Sequence, residues 1–448
     1  MPEALRPVRP TASLTAPRPL SVRDRLILDI ARRGPDSALH LGGVLLFAGT
    51  PPTMDELAAH LAARLLSAPE LTYRLAGTAR QPAWTPDPSF DVTRHIHRVT
   101  VPGSVPRAPD ATLRAVLDQP LDRDGPLWGV WLVEGEGAGA GAGAGAGEGE
   151  GEGGGFALCY RAHHAFQDGR AAAETIERLF GPQTHESCAP QAAQLVPAPV
   201  RKDWGLTLLK DLLPPVRPAA SWPALTAASG TGRTAVTGSC DLAPLHAISR
   251  TTRATVTQIC LAAVTGALRA WHPETWAGAR GRSLRATFAI SLRTADDPLR
   301  LLGNHGGVAT VPLPCGEPSP LRHLSLLQRE VTHTRLSALG RRHRVLFDRL
   351  PYWCGRIGLN RGIDPRYVPL TLADVRTRAR LTWAGQTPVA LFPIPVSVPG
   401  QPLFVAWTTF GGRLHVTFVG DAAVPGLDRL PALWRAGLAA LGERAREG

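Results

Sequence analysis

Phe156-Ala157-Leu158-Cys159-Tyr160-Arg161-Ala162-His163-His164-Ala165-Phe166-Gln167-Asp168-Gly169 is the stretch that decides the fold. Phe156, Leu158, Tyr160 and Ala162 alternate with Ala157, Cys159, Arg161 and His163, the two-residue period of a strand. From Arg170 to Phe180 the period changes. Ala173, Ile176, Leu179 and Phe180 recur at helical spacing until Gly181-Pro182 stops them. His164 therefore sits where a strand hands over to a helix, a junction that can aim an imidazole into a cleft. Histidine is also the side chain whose ordinary pKa suits proton abstraction near neutral pH.

Working outward, a first half runs from Val22 to about Phe180, with a helix at Arg23 to Arg33, a strand at Leu39 to Phe47, a helix at Met54 to Leu66 and a strand at Trp128 to Val133. Between that last strand and Phe156 lies Glu134 to Gly155, made only of Gly, Ala and Glu, which reads as an overgrown hairpin loop. Gly149, Gly151 and Gly154 satisfy GxGxxG but precede a strand, so they do not read as a dinucleotide loop. Residues 1–18, rich in Pro and Arg, read as a disordered arm, 19–181 as the first half, 182–237 as a crossover linker with a helical interlude at Trp204 to Leu213, and 238–448 as a second half. That second half begins with an apolar helix, Thr255 to Trp271, and continues with strands at Leu284 to Ser291 and Gly307 to Val311 and a long amphipathic helix near Leu321 to Leu339. Gly411-Gly412 between Pro402 to Phe410 and Arg413 to Gly420 predicts a two-residue hairpin turn, and a closing helix runs from about Leu427 to Arg444.

A chain of 448 residues with 44% hydrophobic content is long enough for two cores. The excess of twelve positive charges is almost all arginine, since Lys202 and Lys210 are the only lysines. The arginines are dispersed, so nucleic acid is not an expected partner; a basic surface suits phosphates or an anionic lipid surface, or is simply a solvated face. No run of about eighteen apolar residues occurs. Cys159, Cys188, Cys240, Cys260, Cys315 and Cys354 form no CxxC pair, so neither a metal site nor a disulfide framework is expected, and the chain reads as cytoplasmic. The absence of GxSxG and of a Walker A loop excludes the serine of an α/β-hydrolase and weakens any ATP-dependent step.

His163-His164-Ala165-Phe166-Gln167-Asp168-Gly169 resembles the HHxxxDG signature of chloramphenicol acetyltransferase-like enzymes, peptide-synthetase condensation domains and bacterial wax ester synthase/diacylglycerol acyltransferases. Pro19-Leu20-Ser21 with Asp24, Pro120-Leu121-Asp122 with Pro126-Leu127-Trp128, Ala289-Ile290-Ser291-Leu292-Arg293 and Gly303-Asn304 resemble the wax ester synthase branch in order and spacing. The resemblance implies an α/β fold with mixed sheets: two chloramphenicol acetyltransferase-like halves with the active-site channel between them. It implies an acyl-CoA-dependent O-acyltransferase joining a fatty acyl group to a long-chain alcohol or diacylglycerol, without a cofactor, acyl-CoA being a co-substrate. Peripheral association with a membrane or lipid body would follow from such substrates. A condensation-type enzyme with a carrier-protein-bound donor, and a catalytically silent lipid binder, are the rival readings.

By the same resemblance His164 is the general base. His163 belongs to the alternating strand and reads as its neighbour's support, with a direct chemical role left open. Asp168 has two readings, a helix cap and an ion pair with Arg293. Gly169 reads as supplying backbone freedom at the turn. Pro126, Leu127 and Trp128 are candidates for substrate binding, against the simpler reading of a strand entry with an aromatic core residue. Asn304 either holds its loop or donates to a developing oxyanion. Two departures stand out: Thr257-Gln258 replaces a common Asn-Asp pair, and Asp374-Val375-Arg376 replaces an Asn-Val-Pro-Gly-like segment.

Overall fold

The computed structural model describes residues 16–78, 81–136, 155–182, 222, 232–293, 300–349, 351–378 and 380–447. The N-terminal arm through residue 15, most of the Gly/Ala/Glu run, Cys188 and nearly all of the expected linker, including its helical interlude, lie outside the described residues.

Fourteen strands are described: β1 (Arg18–Pro19), β2 (His40–Phe47), β3 (Tyr73–Gly77), β4 (Pro82–Pro86), β5 (Ile96–Val101), β6 (Trp128–Gly135), β7 (Phe156–His163), β8 (Arg233–Asp241), β9 (Leu284–Ser291), β10 (Gly306–Leu313), β11 (Leu370–Asp374), β12 (Ala390–Ile394), β13 (Leu403–Phe410) and β14 (Arg413–Asp421). They form three sheets, with strand orders β1-β4-β3, β12-β2-β7-β6-β5 and β10-β9-β11-β13-β14-β8. Both large sheets mix parallel and antiparallel pairs, as β5 on β6 and β11 on β13 are parallel. The longer helices described are α1 (Val22–Ala31), α2 (Met54–Leu65), α3 (Pro109–Leu117), α4 (Gly169–Phe180), α5 (Leu242–Thr252), α6 (Val256–Trp271), α7 (Pro320–Glu330), α8 (His333–Arg349), α9 (Tyr352–Gly362) and α10 (Leu430–Glu447).

The alternation that marks β7 separates two cores, because both faces of the strand are buried. Phe156, Leu158, Tyr160 and Ala162 join one cluster with Leu45, Ile176 and Leu179. Ala157 and Cys159 join another with Leu113 and Val116 of α3 and with Ala235 and Val419 of the second half. Arg161 is fully buried on this side without a carboxylate. Its guanidinium lies over Trp131, 4.7 Å from the ring, and donates to His40 Nδ1 at 2.5 Å and to the carbonyls of Val116, Leu117 and Gln119. Those carbonyls are at the negative end of α3, where a cation is favoured.

Local chemistry places several ends as expected. Ser21 with Asp24, Thr53 with Glu56 and Thr255 with Gln258 form capping boxes at α1, α2 and α6. Gly411 and Gly412 take φ of 57° and 76° at the β13–β14 turn. Two boundaries differ. The long helix expected at Leu321 to Leu339 is two helices, because the Thr332 side chain accepts the Arg335 amide at 3.2 Å and starts α8 afresh. The second half begins earlier than 238, since β8 starts at Arg233 by pairing with Asp421 of β14. β12, far along the chain, pairs antiparallel with β2 and completes the sheet of the first half. α3 ties the halves from the other side: Asp110 accepts from the Thr237 amide and hydroxyl, and Arg233 reaches Asp118 and the Leu117 carbonyl.

Candidate active site

His164 opens the turn between β7 and α4. Its amide donates to the Leu39 carbonyl at 2.7 Å, and its Nδ1 lies 3.1 Å from the Gln167 carbonyl. A carbonyl only accepts, so Nδ1 carries the proton and Nε2 keeps its lone pair. Gln167 is fixed by a buried relay: the Tyr160 hydroxyl donates to Gln167 Oε1 at 2.7 Å, and Gln167 Nε2 donates to Thr175 Oγ1 at 2.8 Å. Burial pushes the His164 imidazolium below its usual range, against the opposing pull of the Gln167 carbonyl and Asp168. At neutral pH the ring is an uncharged base.

A cavity of about 850 Å³ lies against His164, lined from both halves by residues that include Leu26 and Ile30 of α1, Ala173 and Ile176 of α4, Thr310 of β10, Phe347 of α8, Leu359 of α9 and Phe404 of β13. Its walls are largely apolar. Arginines line it at several places; where α4 begins and β11 ends they are Arg170, Arg376 and Arg378, and Arg170 Nη1 donates to the Arg376 carbonyl at 3.2 Å.

Asp168 fulfils both of its readings. It caps α4 by accepting the Ala171 amide at 2.9 Å, and its second oxygen accepts Arg293 Nη1 and the His305 amide, each at 2.7 Å. Burial alone would raise this carboxyl, but the Arg293 guanidinium and the two amides hold it below the usual carboxylate range. Gly303 continues the tie between halves, its amide donating to the Phe166 carbonyl at 2.7 Å.

Asn304 is committed to holding the turn. Its Nδ2 donates to the His164 carbonyl at 2.5 Å, the Ala165 carbonyl at 3.2 Å and Asp24 Oδ1 at 3.1 Å, while its amide donates to the same Asp24 oxygen at 2.8 Å. No N–H of that side chain is left for an oxyanion. Asp24, to which the sequence assigns no role, is thus the hub of this junction. Burial raises its carboxyl despite the donors from Asn304 and Ser21. The serine-and-aspartate capping pattern announces the helix start but not the contact 280 residues away.

Other candidates fall elsewhere. Pro126, Leu127 and Trp128 do not line the cavity. Trp128 is a core residue whose Nε1 donates to the Leu71 carbonyl at 2.7 Å and whose ring stacks on His95 at 4.5 Å, and Leu127 packs in the same cluster. His163 also lies off the cavity wall; its Nδ1 accepts the Ala165 amide at 3.0 Å, which shapes the turn behind His164. Gly169 does not supply unusual backbone freedom, because its φ is not positive and a Cβ there would meet nothing within 4 Å. It faces the cavity, so what its missing side chain provides is room.

The two departures meet. Thr257 Oγ1 donates to Asp374 Oδ2 at 2.6 Å, and Arg376 Nη2 reaches both groups, at 3.2 and 3.1 Å. Gln258 caps α6, and its Nε2 donates at 2.7 Å to the Val331 carbonyl at the break between α7 and α8. Among the described residues no cluster of metal-binding side chains occurs, and no helix is long and apolar enough to cross a membrane.

In fold the chain resembles the wax ester synthase/diacylglycerol acyltransferase from Marinobacter aquaeolei VT8, with a TM-score of 0.59 and 20% identity over 96% of this chain and 100% of that one. It also resembles the starter condensation domain of rhizomide synthetase solved with C8-CoA and Leu-SNAC, with a TM-score of 0.64 and 14% identity over 97% and 96%. This is a chloramphenicol acetyltransferase-like fold. Residues 20–144 match the wax ester synthase/diacylglycerol acyltransferase catalytic domain. A Mycobacterium tuberculosis protein named as a diacylglycerol O-acyltransferase is 27% identical over 403 residues, covering 86% of this chain and 81% of the relative. A second from that organism is 23% identical over 421 residues, covering 86% and 87%. Over most of its length the chain is thus similar to proteins named as diacylglycerol O-acyltransferases, and its first part matches the catalytic domain of that family.

Proposed function

We propose that this chain transfers a fatty acyl group from acyl-CoA to the hydroxyl of a long-chain alcohol or of diacylglycerol, with His164 as the general base. The observation that carries the reading is the Nδ1–Gln167 bond, which leaves Nε2 unprotonated beside the cavity. Nε2 takes the hydroxyl proton as the alcohol oxygen attacks the thioester carbonyl. When the tetrahedral intermediate collapses, the C–S bond breaks and the imidazolium returns the proton to the departing coenzyme A thiolate. No acyl-enzyme is required. A base positioned in this way contributes about 10²- to 10⁴-fold, and holding thioester and hydroxyl together adds to it.

Three features support an anionic thioester and an apolar acceptor. Arg170, Arg376 and Arg378 offer charge to the donor's phosphates, the apolar walls accommodate alkyl chains, and the first-turn N–H groups at Gly169 and Arg170 turn the positive end of α4 to the cavity, where an oxyanion would be favoured. Asp168, Arg293 and Asn304 act through the turn they hold. The likeness to condensation domains favours a second reading in which the acyl group arrives on a carrier protein.

The test is mass-spectrometric product detection after incubation with palmitoyl-CoA and a mixture of long-chain alcohols and diacylglycerol, beside a His164→Ala control. Ester from the parent and none from the control is the expected result. No ester with free acyl-CoA, and ester with an acyl-carrier protein, would favour the second reading instead.

A further inference from the structure

Five large apolar side chains stand exposed among the described residues, and two of them share one helix face. Trp353 is 64% exposed and Ile357 57% exposed, four residues apart on α9. Arg356 and Asn360 are exposed on the same face, at the i+3 and i+7 positions from Trp353. The opposite face is fully employed. Gly355, Gly358 and Leu359 line the cavity, and Gly355 packs against Leu26 of α1. The helix is pinned to α1 at its start, where Tyr352 donates to Asp29 and lies under the Arg25 guanidinium, and just beyond α1 Arg33 Nη2 donates to Asn360 Oδ1 at 2.6 Å. α9 is thus a fixed wall of the channel with an apolar outer surface.

The charge around it has one sign. From His333 to Arg366 the sequence carries eight arginines against two aspartates, half of the whole chain's positive excess. Arg341, Arg349, Arg356 and Arg366 are exposed, while Asp364 is engaged by Arg366. A tryptophan with a neighbouring aliphatic residue, ringed by arginines, is the composition that seats a helix in the headgroup region of a membrane and draws it to anionic lipid.

We propose that the outer face of α9, centred on Trp353 and Ile357, is the surface by which this chain sits on an anionic lipid layer. The channel wall itself then rests on the phase in which apolar acceptors are dissolved. The inference deepens the lipid-substrate reading, but its binding measurement contains no acyl-CoA, so failure of either leaves the other measurable.

The experiment is cosedimentation of the full chain with phosphatidylcholine vesicles and with vesicles containing phosphatidylglycerol, for the parent, the double variant Trp353→Ser/Ile357→Ser, Arg356→Glu and Leu66→Ser. Leu66 is a control, 71% exposed just after the end of α2. The parent should bind the anionic vesicles more strongly, and added salt should weaken that preference. The double variant should partition on the order of tenfold to a hundredfold less, the loss expected for withdrawing two apolar side chains from lipid. Arg356→Glu should lose binding chiefly to the anionic vesicles, and Leu66→Ser should match the parent. Ester formation from detergent-dispersed substrates should be the same in all four, which separates surface binding from misfolding. A parent that binds neither vesicle, or a double variant that binds like the parent, overturns the proposal. A concentration-dependent dimer abolished by the double variant, with vesicle binding intact, assigns the face to a second copy instead.

Discussion

Replacing Asp168 with Asn keeps the shape of the side chain and removes its charge, and the contacts around it set the cost. The carboxylate accepts three donors on two oxygens, and the side chains of Asp168 and Arg293 are 5% and 10% exposed, so water offers little compensation. An amide has only one accepting oxygen. Turned toward Arg293 and His305, it presents an NH₂ to the Ala171 amide and loses the cap, worth about 1 kcal/mol. In either orientation Arg293 loses its counter-charge, and breaking a buried pair on one side costs about 3 to 5 kcal/mol. A total of about 4 to 6 kcal/mol is expected. Because the same residue closes the turn that carries His164, kcat should fall by at least tenfold, equivalent to about 1.4 kcal/mol of barrier. Urea midpoints of Asp168→Asn, Arg293→Gln and the double variant give the stability terms, and ester formation at a temperature where all are folded gives kcat. The double variant should be less destabilised than the sum of the singles by about 0.5 to 3 kcal/mol. A single-variant loss under about 1 kcal/mol, additive singles, or an unchanged kcat would refute this account of the ion pair.

Burial lowers the His164 pKa, and the reactive form is neutral, so activity rises with pH through the folded value and the acid limb of kcat/KM should lie below 6.5; a limb above 6.5 in the pH profile contradicts the assignment. Stability should also decline as pH falls below 6.5, because His305 and His415 are held to about 4 in the fold while the unfolded chain takes up protons earlier; pH-dependent melts check this. Gly169→Ala should leave the melting temperature unchanged or slightly raised, since the position has open space and ordinary φ, yet raise KM because the methyl enters the cavity; an unchanged KM removes Gly169 from the substrate path. Trp128→Phe loses the bond to the Leu71 carbonyl, about 1 kcal/mol, with kcat/KM unchanged per folded molecule; a selective rise in KM would restore Trp128 to the binding site.

What is legible in the letters is local. Strand period, helix period and the Gly-Pro stop lie within about thirty residues of one another, and they suffice to place His164 at its junction. The pairing of Asp168 with Arg293 spans 125 residues and is implied only by resemblance, since nothing in the spacing of the two residues encodes it. The bond between Asp24 and Asn304 is hidden for the same reason. At Gly169 the sequence points the wrong way because glycine signals either freedom or space, and only the neighbouring volume tells which. Trp128 resembles a binding residue because a tryptophan beside a motif can face a ligand or a core, and a hydrogen bond to a distant carbonyl decides for the core.

The strand Ala390–Ile394 bears on how such a protein can be divided. Its residues pair with Gly42 to Leu46, so a product cut between the halves would leave the backbone of that strand unsatisfied along one side. An uncovered strand edge is a template for association with other chains. Expressing residues 1–237 alone should therefore yield aggregate instead of a soluble half-enzyme, whereas adding a segment that covers Gly42 to Leu46 should restore solubility. The two halves look like separable modules along the sequence, yet this strand makes them one inheritable unit: recombination that exchanges one half for another must bring a compatible strand from the far side of the gene.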